Sequence, residues 1–324
     1  MKEVRGWDTS FLGFLAALWK TGVNEYSCTF VDEDMPAGMR KLMSLARAVP
    51  EVPAEEGVQR DSFLRQVGLG TMRVFQGIRC YHDFIGTLFL DLGRLLLGRA
   101  SWRGKDFWLA LQQAGPQAVP IVTLLAFLTG LIIAFIGAIQ LQKLAADIFV
   151  ADLVGLSMTR ELAAVMTGVI MAGRTGAAYA AQIGSMRVNE EVDALQSLGI
   201  SPIQFLVLPK VIALVLMMPL LTAFANVVSI LGGLLVAVGV TDVTMAQFHV
   251  QIVGAVSSVD VLVGLFKSMV FGVIIALSGC YRGLRCGKDA ASVGRATTSA
   301  VVTAITWIVV CDALFAVVFH ILGI

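Results

Sequence analysis

Charged residues are scarce in this chain. Asp, Glu, Lys and Arg make up 15% of its 324 residues, whereas soluble domains typically carry about a quarter. Hydrophobic residues make up 57% of the sequence, and the mean hydropathy is +0.82. This composition excludes an ordinary soluble domain and indicates an integral membrane protein.

The residue patterns of metal and phosphate sites are also missing. The five cysteines include no CxxC pair and lack the neighbouring His or Cys residues of a zinc site. The phosphate-binding pattern GxxxxGK[ST] is absent, because Lys105 and Lys288 each follow a glycine but precede an aspartate. We therefore expect no catalytic residue, no metal site and no cofactor in this chain. If the chain takes part in ATP-driven work, ATP and Mg²⁺ must be bound by a partner ATPase.

The N-terminal residues have the pattern of a small α/β segment. A helix is expected from the cap at Asp8–Ser10 to Gly22, a short strand at 26–31, and a second amphipathic helix at 36–49. The strands that would complete such a domain are missing, so residues 1–50 are predicted to be a partial α/β segment in the cytoplasm. Residues 51–59 form a linker. No signal-peptide pattern opens the chain, so the first apolar span is expected to direct insertion.

Residues 60–117 alternate basic and aromatic side chains, among them Arg79, Phe84, Arg94 and Trp108, but no uncharged stretch reaches spanning length. Arginines at the level of the lipid headgroups, with aromatic rings directed inward, explain this mixture. Interfacial amphipathic helices are therefore predicted. Acidic residues are nearly as frequent here as basic ones, which argues against a nucleic-acid partner.

Five apolar segments follow, at roughly 118–141, 159–184, 203–240, 259–281 and 296–322. Each is long enough to cross the hydrocarbon core as a helix. Residues 118–324 are therefore predicted to form an all-α domain of five transmembrane helices.

The distribution of basic residues predicts the orientation of these helices. The turn 281–295 contains Arg282, Arg285, Lys288 and Arg295, and the positive-inside rule assigns it to the cytoplasm. The connection 241–258 has no Lys or Arg and is therefore expected on the outside. Five spans then put the N-terminus in the cytoplasm and the C-terminus outside.

Three ionisable residues fall well inside the apolar segments: Glu161, Lys267 and Asp312. Charges at this depth are costly and are expected to pair, which predicts a network of Lys267 with one or both carboxylates. Such a network either fixes helix packing or takes part in transport, and the sequence leaves both open. Arg160 borders an outer loop and is a candidate for binding a lipid phosphate.

The segment between the second and third spans is polar and acidic. Arg187, Glu190, Glu191 and Asp193 must lie outside the hydrocarbon, while Val188, Val192, Leu195 and Leu198 recur at helical spacing. This pattern predicts an amphipathic hairpin at the membrane surface that docks on a soluble partner.

Small residues recur every fourth position in the second span, at Gly168, Ala172, Gly176 and Ala180. This spacing favours close helix packing, and Gly173 and Arg174 lie within it. Arg174 is expected to reach helix carbonyls or a headgroup. Near the start of the last span, Arg295, Thr297 and Thr298 are expected at a helix start, with the threonines bonded to neighbouring backbone.

The segment AGRTGAAYAAQIGSMRVNEEVDALQSLGI at 172–200 and VGRATTSAVV at 293–302 resemble motifs of MlaE-type ABC transporter permeases. The resemblance runs from about Gly115 to the C-terminus, and the N-terminal WDTS region is similar to a partial STAS-like segment of some members. Departures occur at Ala164, Lys210 and Lys288–Asp289, where the family commonly has other residues.

This resemblance implies a homodimeric permease in the bacterial inner membrane, with a periplasmic C-terminus. Its implied partners are an ABC ATPase subunit and a periplasmic MCE-domain protein, and its implied substrates are phospholipids or similar hydrophobic molecules. It also implies that Ile139, Leu141 and Leu144 face a lipid cavity between two protomers, and it draws attention to Glu161, Lys267 and Asp312. Two alternatives remain open, an ion-coupled anion transporter with a STAS-like domain and a non-transporting scaffold for an MCE protein.

Overall fold

The computed structural model describes residues 10–11, 13–15, 18, 35–48, 63–98 and 104–323. The chain divides into two compact units, Met1–Phe75 and Gln76–Ile324. In the first unit, helix α1 (Ala37–Ala48) lies where the second amphipathic helix is predicted. The predicted strand at 26–31, the linker at 51–59 and most of the predicted first helix lie outside the described residues. The STAS-like character of this unit therefore stays a prediction.

Within the described ranges the regular structure is helical, with no strand. A long helix, α2 (Phe63–Leu96), begins in the first unit and continues into the second. The remaining helices are α3 (Gly104–Ala114), α4 (Val119–Gln142), α5 (Val150–Ser157), α6 (Ala163–Met171), α7 (Ala177–Val188), α8 (Glu191–Ser197), α9 (Leu208–Val240), α10 (Met245–Ala255), α11 (Ser258–Leu284) and α12 (Ala290–Leu322).

Among the described residues, four helical segments are long and apolar enough to cross a membrane: Gly104–Gln142, Ile203–Val240, Ser258–Leu284 and Ala290–Leu322. The shortest has 27 residues, which at about 1.5 Å per residue exceeds a hydrocarbon core of about 30 Å. The chain is thus an all-α, multi-pass membrane protein. These segments correspond to the first, third, fourth and fifth predicted spans.

The second predicted span, 159–184, is helical but is not one of these four. It lies in a helical stretch at 150–188 that two π-helical turns interrupt, Met158–Leu162 and Ala172–Gly176. The first turn carries Arg160 and Glu161, and these charges lower the hydropathy of the segment. The count of five transmembrane helices is therefore not confirmed. Single π turns inside α-helices frequently mark functional positions.

The connection at 241–258 contains helix α10, which was not predicted from the sequence. Its start is fixed by a capping box, in which the Thr244 hydroxyl accepts from Gln247 N and the Gln247 side chain accepts from Thr244 N. A second capping box, Ser257 with Asp260, begins α11. These reciprocal hydrogen bonds satisfy backbone N–H groups of the first helical turn, which have no partner within the helix, and so stabilise the starts of α10 and α11.

Helices α4 and α9 pack closely because small residues lie between them. Gly130 and Ser229 are both buried, and a Cβ built on Gly130 would lie 1.9 Å from the Ser229 carbonyl oxygen. No other residue type fits at position 130 without moving the two helices apart.

Replacing Gly130 by Ala should lower the free energy of unfolding by about 1–3 kcal/mol, the usual penalty for overpacking. Gly239→Ala is the matched control, because no atom lies within 4 Å of a Cβ built there. It should leave the protein unchanged or slightly more stable. Thermal unfolding of the detergent-purified chains measures both, and equal midpoints for the two variants would contradict the close helix contact.

Candidate functional site

The three intramembrane charges lie together in one cluster. The Lys267 ammonium on α11 donates to the Glu161 carboxylate in the first π turn and to Asp312 Oδ1 on α12, the latter at 3.1 Å. A single lysine therefore joins three helical segments. The sequence left open whether Lys267 pairs with Glu161, with Asp312 or with both, and in the structure it binds both carboxylates.

A close helix approach positions this cluster. A Cβ built on Gly264 would lie 2.1 Å from the Thr159 carbonyl oxygen, so α11 touches the backbone of the first π turn there. Lys267 follows Gly264 by nearly one helical turn on the same face. Its side chain consequently reaches the Glu161 carboxylate in that π turn.

The members of the cluster differ in their exposure. The Lys267 side chain is fully buried, whereas those of Glu161 and Asp312 are 34% and 24% exposed. The ammonium therefore depends on its two partners for compensation, since a buried unpaired charge is strongly unfavourable. The Phe319 ring, with its centroid 5.9 Å from Lys267 Nζ, adds a cation–π contact.

A second ion pair lies beside this cluster. Arg160 Nη1 donates to Asp260 Oδ1 at 3.0 Å, and Asp260 also caps α11 through Ser257. Arg160, predicted to bind a lipid phosphate, thus has a carboxylate partner within the chain. Asp260 was not predicted as a partner, although the S-x-x-D pattern of its capping box is visible in the sequence at 257–260.

The predicted lipid-facing residues separate into two groups. Leu141 lines a groove of about 790 Å³ between α4 and α5, together with Ile133, Gly137, Leu153 and Leu156. Ile139 and Leu144 do not line it and are exposed, at 42% and 74%. An apolar groove is therefore present at the C-terminal end of α4, and Leu141 is the one of these three residues that lines it. The predicted cavity lies between two protomers, so its lining stays a prediction.

The small residues predicted for helix packing in the second span differ in burial. Gly168, Ala172, Gly176 and Ala180 are all buried, as their spacing indicates. Gly173 is exposed, and no atom lies within 4 Å of a Cβ built there. It therefore takes no part in packing within this chain.

Arg174 lies in the second π turn and joins it to the start of the first span. Its Nη1 donates to the Gln113 carbonyl oxygen at 2.8 Å, and its Nη2 donates to Gln117 Oε1 at 3.4 Å. The predicted reach to helix carbonyls is thus present. Gln113 and Gln117 were not identified from the sequence, because their pairing depends on how two distant helices meet.

The acidic hairpin between α7 and α9 contains the short helix α8. Its turn passes through Glu190 in a left-handed conformation, with φ of 60°. Glu190 and Glu191 are exposed, Val192 is buried, and Leu195 is half-buried. The hairpin therefore buries Val192 and part of Leu195 and directs its glutamates outward, but Leu198, predicted on the same apolar face, is 74% exposed.

The acidic hairpin forms a hydrogen bond and two ion pairs with residues 285–289, the connection between α11 and α12. Arg187 Nε donates to the Cys286 carbonyl oxygen at 3.1 Å. Lys288 Nζ lies 3.3 Å from Glu190 Oε1 and 3.7 Å from Asp193 Oδ2. These contacts were not predicted, although a lysine in a basic turn facing an acidic hairpin was a usable signal.

The beginning of α12 is well capped. Asp289 accepts from Ser292 N and from Arg295 Nη2, each at 3.1 Å. Desolvation opposes ionisation of Asp289, but the Arg295 charge and these hydrogen bonds outweigh it and hold the pKa of this carboxyl below its ordinary value. Thr297 and Thr298 both donate to the Gly294 carbonyl oxygen, which is the backbone bonding predicted for them.

Four apolar helices of spanning length among the described residues, with an ion-pair cluster centred on the buried Lys267, indicate a multi-pass membrane protein. Residues 107–318 match the family model described as Permease MlaE. The match covers well over half of the chain, and the chain belongs to the MlaE permease family. The resemblance stated from the sequence motifs is thereby confirmed.

Individual relatives agree with this assignment. A probable ABC transporter permease protein of Rickettsia conorii is 39% identical over 63% of this chain and 79% of its own length. A protein of the same description from Synechocystis is 40% identical over 71% of this chain and 86% of its own. Protein TRIGALACTOSYLDIACYLGLYCEROL 1 from Arabidopsis thaliana is 31% identical over 68% of this chain and 62% of its own. These matches indicate an ABC transporter permease, a transport subunit rather than the ATPase itself.

The Lys267 cluster is expected to stabilise the fold. Lys267→Met leaves two carboxylates facing each other and should lower the free energy of unfolding by about 3 kcal/mol, the lower end for a broken buried ion pair. The triple variant Glu161→Gln, Lys267→Met, Asp312→Asn removes all three charges together and should recover most of that loss. Chemical unfolding in detergent measures both, and wild-type stability of Lys267→Met would contradict this role.

Proposed function

We propose that this chain is the membrane subunit of an ATP-driven transporter that moves phospholipids or similar hydrophobic molecules between the inner membrane and the periplasm. Membership of the MlaE permease family is the observation that carries this proposal. The Arabidopsis relative bears the name of a galactolipid, which supports a lipid substrate. An MCE-domain protein in the periplasm is the proposed partner that exchanges lipid with the permease.

The proposed topology has five spans, with the stretch at 150–188 forming the second across the membrane. Its charged residues have partners within the chain, Lys267 for Glu161, Asp260 for Arg160 and Gln113 for Arg174. Such pairing lowers the cost of placing them in the bilayer. The basic turn 281–295 is assigned to the cytoplasm by the positive-inside rule, with the N-terminus inside and the C-terminus in the periplasm.

A separate ABC ATPase supplies the energy in this proposal, binding ATP and Mg²⁺, and the acidic hairpin is its docking element. The hairpin is bonded through Arg187 and Lys288 to the connection 285–289. That connection joins α11 and α12, the helices that carry Lys267 and Asp312. Movement of the hairpin would therefore be transmitted directly to the intramembrane cluster.

The substrate path is proposed at the C-terminal end of α4, where Leu141 lies. The groove that contains Leu141 is lined mainly by apolar side chains, which suits acyl chains. Two copies of the chain would enclose such grooves in one shared cavity. The homodimer and the cavity both belong to the proposal.

One specific observation favours a second candidate function. Glu161 and Asp312 share Lys267 and are both partly exposed, an arrangement also suited to binding and releasing a coupling ion. This is the feature that an ion-coupled anion transporter would use. Substrate uptake driven by an ion gradient, with no ATPase present, would identify that function.

Charge reversal in the hairpin should disrupt ATPase docking. Glu191 is exposed, and within the described part of the chain its side chain accepts a single hydrogen bond, from Asn189 Nδ2 at 3.4 Å. Glu191→Lys should weaken binding of the co-purifying ATPase about tenfold or more, as expected for a close interfacial charge pair. Asp83→Lys is the control, because Asp83 is exposed on α2 outside the hairpin. Equal binding by both variants in a pull-down titration would contradict the docking site.

The intramembrane charges should be needed for transport as well as for packing. The variant Glu161→Gln, Lys267→Met, Asp312→Asn should still assemble with the ATPase, but ATP-dependent lipid movement between proteoliposomes and the MCE partner should fall at least tenfold. Wild-type lipid movement by this variant would limit the cluster to a packing role. A wild-type complex that moves no lipid would favour the scaffold alternative.

A further inference from the structure

A second groove, of about 900 Å³, lies within the larger unit between α2, the C-terminal end of α11 and the N-terminal half of α12. It shares no residue with the groove at Leu141. Three guanidinium groups line it, those of Arg282, Arg285 and Arg295, and apolar side chains such as Ile85 and Trp307 form other parts of its wall.

The positive charge in this groove is only partly compensated. Arg282 donates to Thr303 Oγ1 at 3.1 Å and Arg285 donates to the Tyr281 hydroxyl at 2.8 Å, and within the described part of the chain neither forms an ion pair with a carboxylate. Arg295 is paired with Asp289. Each guanidinium has five N–H donors, so donors remain on Arg282 and Arg285 for an anion in the groove.

The groove also has the length and polarity of a lipid. Trp307 follows Arg295 along α12 by a rise of roughly 18 Å, at about 1.5 Å per residue. Half of a bilayer's hydrocarbon core is about 15 Å thick. The basic end therefore lies at headgroup level when the rest of the groove lies along one leaflet. The edge-to-face contact of Tyr81 with Tyr281, at 5.1 Å between ring centroids, forms part of the wall next to Arg285, which donates to the Tyr281 hydroxyl.

We propose that this groove binds one anionic glycerophospholipid from the surrounding leaflet. The phosphate lies between Arg282, Arg285 and Arg295, and an acyl chain follows the wall past Ile85 towards Trp307. Charge complementarity selects this occupant, because guanidinium groups match phosphate oxygens in geometry and charge. The site is separate from the proposed substrate path, and its occupation does not require transport.

Native mass spectrometry of the purified full chain tests this inference, with phosphatidylglycerol as the probe and phosphatidylcholine as the neutral comparison. Phosphatidylglycerol should bind saturably and more tightly. Arg282→Gln with Arg285→Gln should weaken its binding roughly thirtyfold, since each basic residue near a membrane surface contributes about a fivefold factor. Lys41→Gln with Lys105→Gln removes two exposed charges outside the groove and should weaken it by less than about fivefold.

A third variant separates the groove from general surface charge. Ser299 lines the groove, and Ser299→Phe fills part of it while keeping every arginine, so it should also reduce phosphatidylglycerol binding. Equal loss in the groove and control charge variants, undiminished binding by Ser299→Phe, or equal affinity for phosphatidylcholine would each overturn the proposal. Displacement of the lipid by inorganic phosphate alone would assign a simple anion site instead.

Discussion

The ion pairs of Lys267 constrain the rest of the transmembrane unit. A fully buried ammonium needs compensation, and it obtains this from Glu161 in a π turn and Asp312 on the last helix. Three helical segments must therefore keep one relative arrangement while the cluster is ionised. The close approach at Gly264 makes the arrangement possible, since any side chain at that position would keep α11 away from the Thr159 carbonyl.

The same helices connect the cluster to the surface that is proposed to meet an ATPase. α11 and α12 meet at residues 285–289, and Lys288 in that connection binds Glu190 and Asp193 of the acidic hairpin. The hairpin follows the helical stretch that carries Glu161. In the proposed mechanism, a displacement of the hairpin would therefore act on the cluster by two routes, through the chain that leads back to Glu161 and through Lys288 to α11 and α12.

Much of this arrangement follows from the sequence, for physical reasons. The lengths of the apolar segments correctly predicted four membrane-spanning helices. The high cost of an isolated charge in lipid correctly predicted that Lys267 has a carboxylate partner. The partners of Arg160, Arg174 and Lys288 were not predicted, because each contact joins elements far apart in the chain. The exposure of Gly173 was equally unpredicted, since small-residue spacing indicates a packed face without showing which neighbouring glycine lies outside it. The cavity predicted at Ile139 and Leu144 lies between two protomers and stays a prediction.

Coupling between the hairpin and the intramembrane cluster is the central claim, and Cys311 offers a direct measurement of it. This half-buried thiol adjoins Asp312. In a chain whose other cysteines are replaced by alanine, its alkylation rate can be followed in the assembled transporter with and without ATP. The account predicts a rate that changes severalfold with ATP in the wild-type background and stays constant in Glu191→Lys. A constant rate in a transporter that still moves lipid with ATP would contradict it.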